Sequence, residues 1–505
     1  MADQSEVFIV PGAFDPQGIS ARLRGLTIRV EASRRPQPFE ILDCYDQSLR
    51  SEGRLLLQTD DTLRLLSPEG EVAQQEGTGN GKLVADLAAG PVRAALRGFP
   101  KLRALIGIAE GTVEAATFVI LDDVQKTRVR GSVEFLSTNK GQASVLHVHP
   151  MRGYKPAFQT VCATLRTMAE DVDGIEPVYR ILFPGLQCYN AKPEVRLGKY
   201  EPSIEVAADI IRTYLEVARQ NEAGVIADID TEFLHDYRVS LRRVRSVLSL
   251  FKGVLSPEQT ADLKRQFSDL MEPTGRLRDL DVYLLEKDNF VSQIPSSLHA
   301  GAEVMFDLFA QERRQALDGL TRRLRSASYK AQMSGLAAPF ADTSGLEPGL
   351  KASHGAYEYA CSLIWKRYRK LCKLARGITP ETPDDIVHDL RIDCKKLRYL
   401  MEFFAPLFDP KAFKTLIKPL KKLQDNLGLF NDCSVQQEAL LQFLSVHSNR
   451  QGRANAQLAM AVGGLIAVLD QRQKAERDRV ITNFQHFDSP DVQHLFRFLF
   501  HHKKE

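Results

Sequence analysis

Two stretches of the chain place the same ionisable residues at the same spacing: HDYRVSLRRVR from His235 to Arg245, and HDLRIDCKKLR from His388 to Arg398. At about 100° per residue on an α-helix, His235, Arg238, Arg242 and Arg245 share an arc of about 80° across three turns. Leu241, Val244, Val247, Leu248 and Phe251 fall on the other side. His388, Arg391, Lys395 and Arg398 repeat the arrangement, with Leu397, Leu400, Met401 and Phe404 behind them. Each helix therefore packs with one face and presents a ladder of positive charge with the other.

A single basic helix face is ordinarily just solvated. Duplication argues for more. Like charges one turn apart repel, each close pair costing a few tenths of a kcal/mol in an isolated helix, and only Asp236 and Asp389 lie nearby in sequence to offset them. Two such ladders on related helices invite an anion between them. One phosphate would satisfy one or two groups and leave the rest repelling, so the expected ligand carries charge along a line: inorganic polyphosphate, or less well a nucleic-acid backbone. Nucleic acid fits less well because only Tyr237 and Tyr399 are near for base stacking and no groove-reading motif is present.

The histidines admit several roles. A metal site lacks further His, Cys or carboxylate ligands on the same face, and Asp236 lies about 100° away. A general base lacks a nucleophile. A hydrogen bond to phosphate, strengthening as the imidazole protonates, fits best, and a satisfied histidine at a helix start is the plainer alternative. Asp279 and Asp432, in GRLRDLD and GLFNDCS, either orient ladder arginines or serve helix packing. No catalytic residue, metal site or cofactor is expected.

These ladders sit in a duplication. The 153 residues between His235 and His388 also separate Arg238 from Arg391, Leu263 from Leu416, Leu270 from Leu423, Gly275 from Gly428 and Asp279 from Asp432. From about Ile204 onward apolar residues recur at three- and four-residue spacing, the pattern of a helical bundle built from two copies of a four-helix unit around a pseudo-twofold axis. The earlier part reads as short strands, among them LTIRVEA, TFVILDD and SVLHVHP, with helical patterns at Lys82–Phe99 and Pro156–Val172. The fold class is thus a strand-rich α+β domain followed by an all-α domain. FPGLQCYNAKPEVRLGKYEPS, rich in Pro and Gly, links them. The expected boundaries are residues 1–195 and 203–505, with repeats at about 203–340 and 350–495.

Composition narrows the class. A net charge of +3 over 505 residues, with 26% charged residues, carries no global basic field, so any polyanion site is a local arrangement. Seven cysteines show no C-x-x-C spacing, which suits reduced thiols and a cytoplasmic protein. No secretory leader is expected from the first residues. The longest apolar run, Leu458 to Leu469, is too short to span a bilayer and reads as a buried helix. EGTGNGKL, from Glu76 to Leu83, lacks the first Gly and the final Ser or Thr of a phosphate-binding loop. Oligomerisation or a protein partner stays open.

The duplicated H-D-x-R-x-x-x-(R/K)-(R/K)-x-R motif resembles the CHAD family, the conserved-histidine α-helical domain, over roughly residues 203–505. The resemblance implies two pseudo-symmetric four-helix bundles that bind inorganic polyphosphate and associate with polyphosphate granules. Its implied binding residues are His235, Arg238, Arg242, Arg243, Arg245, His388, Arg391, Lys395, Lys396 and Arg398, with Arg265 and Lys418 as secondary candidates. CHAD domains often follow a CYTH domain, the triphosphate tunnel fold. CYDQSLRSEGRLLLQ and LHVHPMRGYKPAFQTV are similar to two of its segments. A CYTH enzyme opens with Glu-x-Glu-x-Lys for metal and phosphate; EVFIV has Glu6 followed by Phe8 and Val10, and TRVRGSVEFL offers Arg128, Arg130 and the single carboxylate Glu134 for metal. The expected function is non-catalytic polyphosphate binding. The alternatives are a metal-dependent triphosphatase or polyphosphatase in the N-terminal domain, and a nucleic-acid-binding module.

Overall fold

The structure, a computed structural model, describes residues 5–23, 25–67, 70–79, 81–169, 175–447 and 453–501. The chain divides into two compact units, Met1–Ala191 and Lys192–Glu505.

In the first unit, β1 (Glu6–Pro11), β2 (Leu26–Ser33), β3 (Gln37–Asp43), β4 (Leu55–Thr59), β5 (Thr62–Ser67), β6 (Gly70–Glu76), β7 (Ile106–Asp122), β8 (Thr127–Ser137) and β9 (Gln142–Pro150) form one antiparallel sheet. Its order is β1-β9-β8-β7-β3-β4-β5-β6, with β2 also paired to β7. The helices are α1 (Pro16–Arg22), α2 (Ser48–Ser51), α3 (Pro91–Ala95), α4 (Lys155–Arg166) and α5 (Glu176–Leu182). The helical pattern at Lys82–Phe99 yields only a 3-10 turn at Val84–Asp86 and α3, because Gly90 and Pro91 interrupt it. The Glu76–Leu83 segment leads from β6 toward that turn; its Asn80 lies outside the described residues.

Alternation along the strands separates two cores. Val129, Val133, Leu146 and Val148 join Phe8, Val10, Phe118 and Ile120 under α1 and α4. Leu136, Val145, Val113, Phe39, Ile41 and Leu57 pack on the opposite face around Val178, Tyr179 and Leu182 of α5. The sheet curls toward this second face, since Arg64 of β5 reaches Glu134 of β8 at 2.6 Å although β4, β3 and β7 intervene in the sheet order. Gly131 permits the curvature: a Cβ there would collide with the Phe118 ring. The result is a β half-barrel whose hollow α5 partly fills.

The second unit is helical: α6 (Ser203–Ile226), α7 (Thr231–Leu250), α8 (Pro257–Met271), α9 (Gly275–Leu285), α10 (Lys287–Ser292), α11 (His299–Arg325), α12 (Ala327–Ala337), α13 (Ala356–Ala375), α14 (Asp384–Phe404), α15 (Pro410–His447), α16 (Arg453–Phe487) and α17 (Pro490–Phe500). The first residues of α13, α14 and α15 follow those of α6, α7 and α8 by the same 153 residues that separate the motifs. The copies differ where the first carries Glu272-Pro273-Thr274. That segment makes a 3-10 turn between α8 and α9, whereas α15 continues through its counterpart. The two copies also share a core: Tyr283, Phe306 and Phe309 of the first pack with Leu440, Phe443, Leu465 and Leu469 of the second. The apolar run at Leu458–Leu469 lies in α16, and among the described residues no helix is long and apolar enough to cross a membrane.

Candidate functional site

Both ladders lie on helices fixed by their own sequence. Asp230 caps α7, its Oδ1 accepting from the amides of Glu232 at 2.9 Å and Phe233 at 3.3 Å, a device worth about 1 kcal/mol. Tyr237, Leu241, Val244 and Val247 of α7, and Val387, Leu390, Leu397 and Met401 of α14, are buried. Phe251 stacks on Phe404 with ring centroids 4.9 Å apart. These two residues are offset mates, so the pseudo-twofold axis passes between them. Gly224 of α6 lets α7 approach, since a Cβ there would strike the Phe233 ring.

The ladders meet at a second pair of offset mates, Arg242 and Lys395. Burial, then Arg391, then Arg242 push the Lys395 ammonium down to about 8, with Asp432 opposing and Arg398 adding to the effect. Burial, then Arg242, likewise lowers the Arg238 guanidinium, and Asp279 opposes. Asp279, Arg238, Arg242, Lys395, Arg391 and Asp432 are thus successive electrostatic neighbours spanning both copies. Arg391 lies 3.7 Å from Asp432, and burial raises the Asp279 carboxyl against the pull of Arg238, Arg276 and Arg278.

The flanking cations are committed. Arg238 Nη1 donates to Thr274 Oγ1 in the 3-10 turn. Arg398 Nε donates to Glu402 at 2.6 Å, and Arg245 Nη1 lies 3.8 Å from the Met271 sulfur. At the centre, among the described residues, neither Arg242 nor Lys395 makes an ion pair or a side-chain hydrogen bond, and the Arg242 Nε is buried without an acceptor. His388 is exposed, its Nδ1 2.6 Å from Asn431 Oδ1; His235 is half-buried.

Other candidates lie apart from this strip. Arg243 is buried, donating to the Tyr214 hydroxyl at 2.8 Å and to Glu402 at 2.9 Å. Lys396 faces a different group: burial, then Arg367, lower its ammonium, with Lys370 and Lys252 adding and Asp393 opposing. The buried Asp393 accepts from Arg367 at 2.9 Å and pairs with Lys370 at 3.0 Å. Arg265 is exposed and bonded to Asp262; Lys418 is exposed. Sequence reasoning missed Glu402 and Thr274. Glu402 carried one signal, its place four residues after Arg398.

In the half-barrel, Glu6, Phe8 and Val10 do not face the hollow. Glu6 pairs with Arg166 of α4, and Phe8 and Val10 sit in the outer core. The inward residues of β1 are Val7 and Ile9. Glu134 is held by Arg64, which Glu71 also grips at 2.8 Å. Among the described residues no group of three or more His, Cys, Asp or Glu could hold a metal ion. The metal of a tunnel triphosphatase therefore does not fit the residues present.

The helical unit is thus a duplicated bundle with a strip of cations across its pseudo-axis. Residues 209–441 match the family model of the CHAD domain, and the helical unit is a CHAD domain; the half-barrel before it fits a CYTH-like tunnel fold. The chain is similar to the crystal structure of the CHAD domain from the plant Ricinus communis, at 26% identity and a TM-score of 0.49, covering 58% of this chain and 95% of that one. It is also similar to PptA from Streptomyces chartreusis, at 16% identity and a TM-score of 0.43, covering 56% of this chain and all of that one. No curated protein matches.

Proposed function

We propose that the helical unit binds inorganic polyphosphate across its pseudo-twofold axis, with Arg242 and Lys395 as the central contacts. Arg238 and Arg391 stand on either side, and Arg245, Arg398, His235 and His388 lie beyond. The observation that carries this reading is the central pair: two half-buried cations that repel one another and that, among the described residues, make neither an ion pair nor a side-chain hydrogen bond, flanked by cations that do. Burial weakens solvent screening, so an anion placed there gains more than it would on an open surface. A linear polyanion relieves the repulsion along the whole strip. Arg243 and Lys396 serve the packing of the helices rather than the ligand. The resemblance to CHAD proteins is the ground for association with polyphosphate granules, and the free cysteines that for a cytoplasmic setting; the half-barrel acts as an accessory domain. The test is titration calorimetry of long-chain polyphosphate against the wild type and an Arg238→Glu, Arg242→Glu, Arg391→Glu, Lys395→Glu variant of verified fold, at two salt concentrations. Tight, salt-weakened binding that the variant loses is expected; equal binding by both proteins removes the strip from the function.

A further inference from the structure

A polyphosphate chain longer than the strip has to leave it over one neighbouring helix or another. α8 and α15 bury equivalent faces, Leu263, Phe267 and Leu270 in one and Leu416, Leu420 and Leu423 in the other. Their exposed faces do not correspond. Lys411, Lys414, Lys418, Lys421 and Lys422 are all exposed on α15, and the positions 153 residues earlier are Glu258, Ala261, Arg265, Ser268 and Asp269. Packing does not require the lysines, because α8 packs the same way without them.

Nor are they held in ion pairs, although the exposed Asp425 shares their arc about one turn further on. Among the described residues none of the five makes an ion pair, whereas Arg265 on α8 is bonded to Asp262. On a helix the five lysines span an arc of about 100° and a length of about 16 Å. Asp432, further along α15, falls within the same arc, and it is the residue that reaches Arg391 of the strip at 3.7 Å. The lysine row and the strip therefore open on the same side of α15.

Granted polyphosphate at the strip, on which the proposal rests, we propose that the lysine row of α15 is a second, one-sided segment of the binding track. It is engaged by polyphosphate chains long enough to leave the centre, so that the second repeat selects for chain length. Such chains run over Lys414, Lys418 and Lys421 and not over α8. A row of lysines that only keeps the surface hydrated would make no distinction by ligand length.

Three variants, each checked for an unchanged melting temperature, separate the possibilities: Lys414→Glu, Lys418→Glu, Lys421→Glu on α15; Lys264→Glu, Arg265→Glu on α8; and Arg242→Glu, Lys395→Glu at the centre. Each is titrated with tripolyphosphate and with long-chain polyphosphate. The α15 variant is expected to lose about tenfold or more in affinity for the long chain, with a shallower salt dependence, while binding tripolyphosphate like the wild type. The α8 variant is expected to bind both like the wild type, and the central variant to lose both. Unchanged long-chain binding by the α15 variant, or equal losses in the α15 and α8 variants, overturns the one-sided track and leaves the central site standing. Retention of both ligands by the central variant overturns the central site itself.

Discussion

Lys395 meets like charge from two elements: Arg391 and Arg398 on its own helix and Arg242 from α7, with Asp432 of α15 the opposing carboxylate. Its ammonium, at about 8 in the free protein, titrates within reach of ordinary buffers. Because folding lowers the pKa of this cation, the unfolded chain binds the proton more tightly, and the group adds stability as pH rises through about 8 toward the usual lysine value near 10.4. A phosphate bound beside it restores the proton, so binding near pH 8 takes up protons and weakens as pH climbs further. Calorimetry in two buffers of different ionisation enthalpy reads that uptake directly, and Lys395→Arg should bind with little uptake; equal uptake by the variant assigns the proton to another group. At this scale the sequence was legible where angle decided. Arg238, Arg242, Arg391 and Lys395 share the arc that the structure brings together, whereas Arg243 and Lys396 stand at about 80° from their histidines, well off that arc. Glu402, to which the Arg243 guanidinium turns, has Ser249 as its offset mate, so the repeat gave no hint of it.

The helices carry the site, and one ion pair ties the two that matter. Arg243 of α7 and Glu402 of α14 are 2.9 Å apart, with Arg243 also 5.0 Å above the Tyr214 ring. Arg398 still pairs with Glu402 when Arg243 is removed, so the loss is that of the bond between the helices and of the contact with Tyr214, and Arg243→Ala should cost about 2 kcal/mol of stability. A double-mutant cycle with Glu402→Gln should show a coupling of about 1–2 kcal/mol by urea denaturation. Additive effects would mean that the pair contributes nothing beyond its members. The repeat itself was legible from the motif offset, and the break between α8 and α9 follows from Pro273. The strands were harder to read. β7 runs 17 residues from Ile106, but its first half, IGIAEGTVEAA, lacks clear alternation; pairing to β3 and β8 holds it extended where propensity alone would not. The helix α5 is 7 residues long, too short for its period to register, yet it supplies the inner core.

At the scale of the whole chain, the repeat made the symmetry of the helical unit legible and hid what departs from it: the broken helix, the Asp393 cluster and the lysines of α15. The half-barrel poses the opposite case, where fold and chemistry part company. Its curvature brings Arg64 to Glu134, and Glu71 of the neighbouring strand β6 grips the same side chain, so a guanidinium occupies the carboxylates that a metal would need. That ion pair also joins β5 to β8 across the hollow, with Arg64 20% and Glu134 12% exposed, and its loss should cost about 2 kcal/mol, less than for a fully buried pair. Arg64→Ala should therefore speed amide hydrogen exchange in β4, β5 and β8 while α7 and α14 keep their protection; polyphosphate should slow exchange in α7 and α14 and leave β5 and β8 as they were. Added Mn²⁺ should change neither pattern. Protection of β5 and β8 by Mn²⁺ would return a metal to the hollow, and with it the case for triphosphate chemistry. Exchange slowed in β5 and β8 by polyphosphate alone would instead make the half-barrel a second anion receptor, reached without metal through Arg64, Arg130 and the histidines of β9.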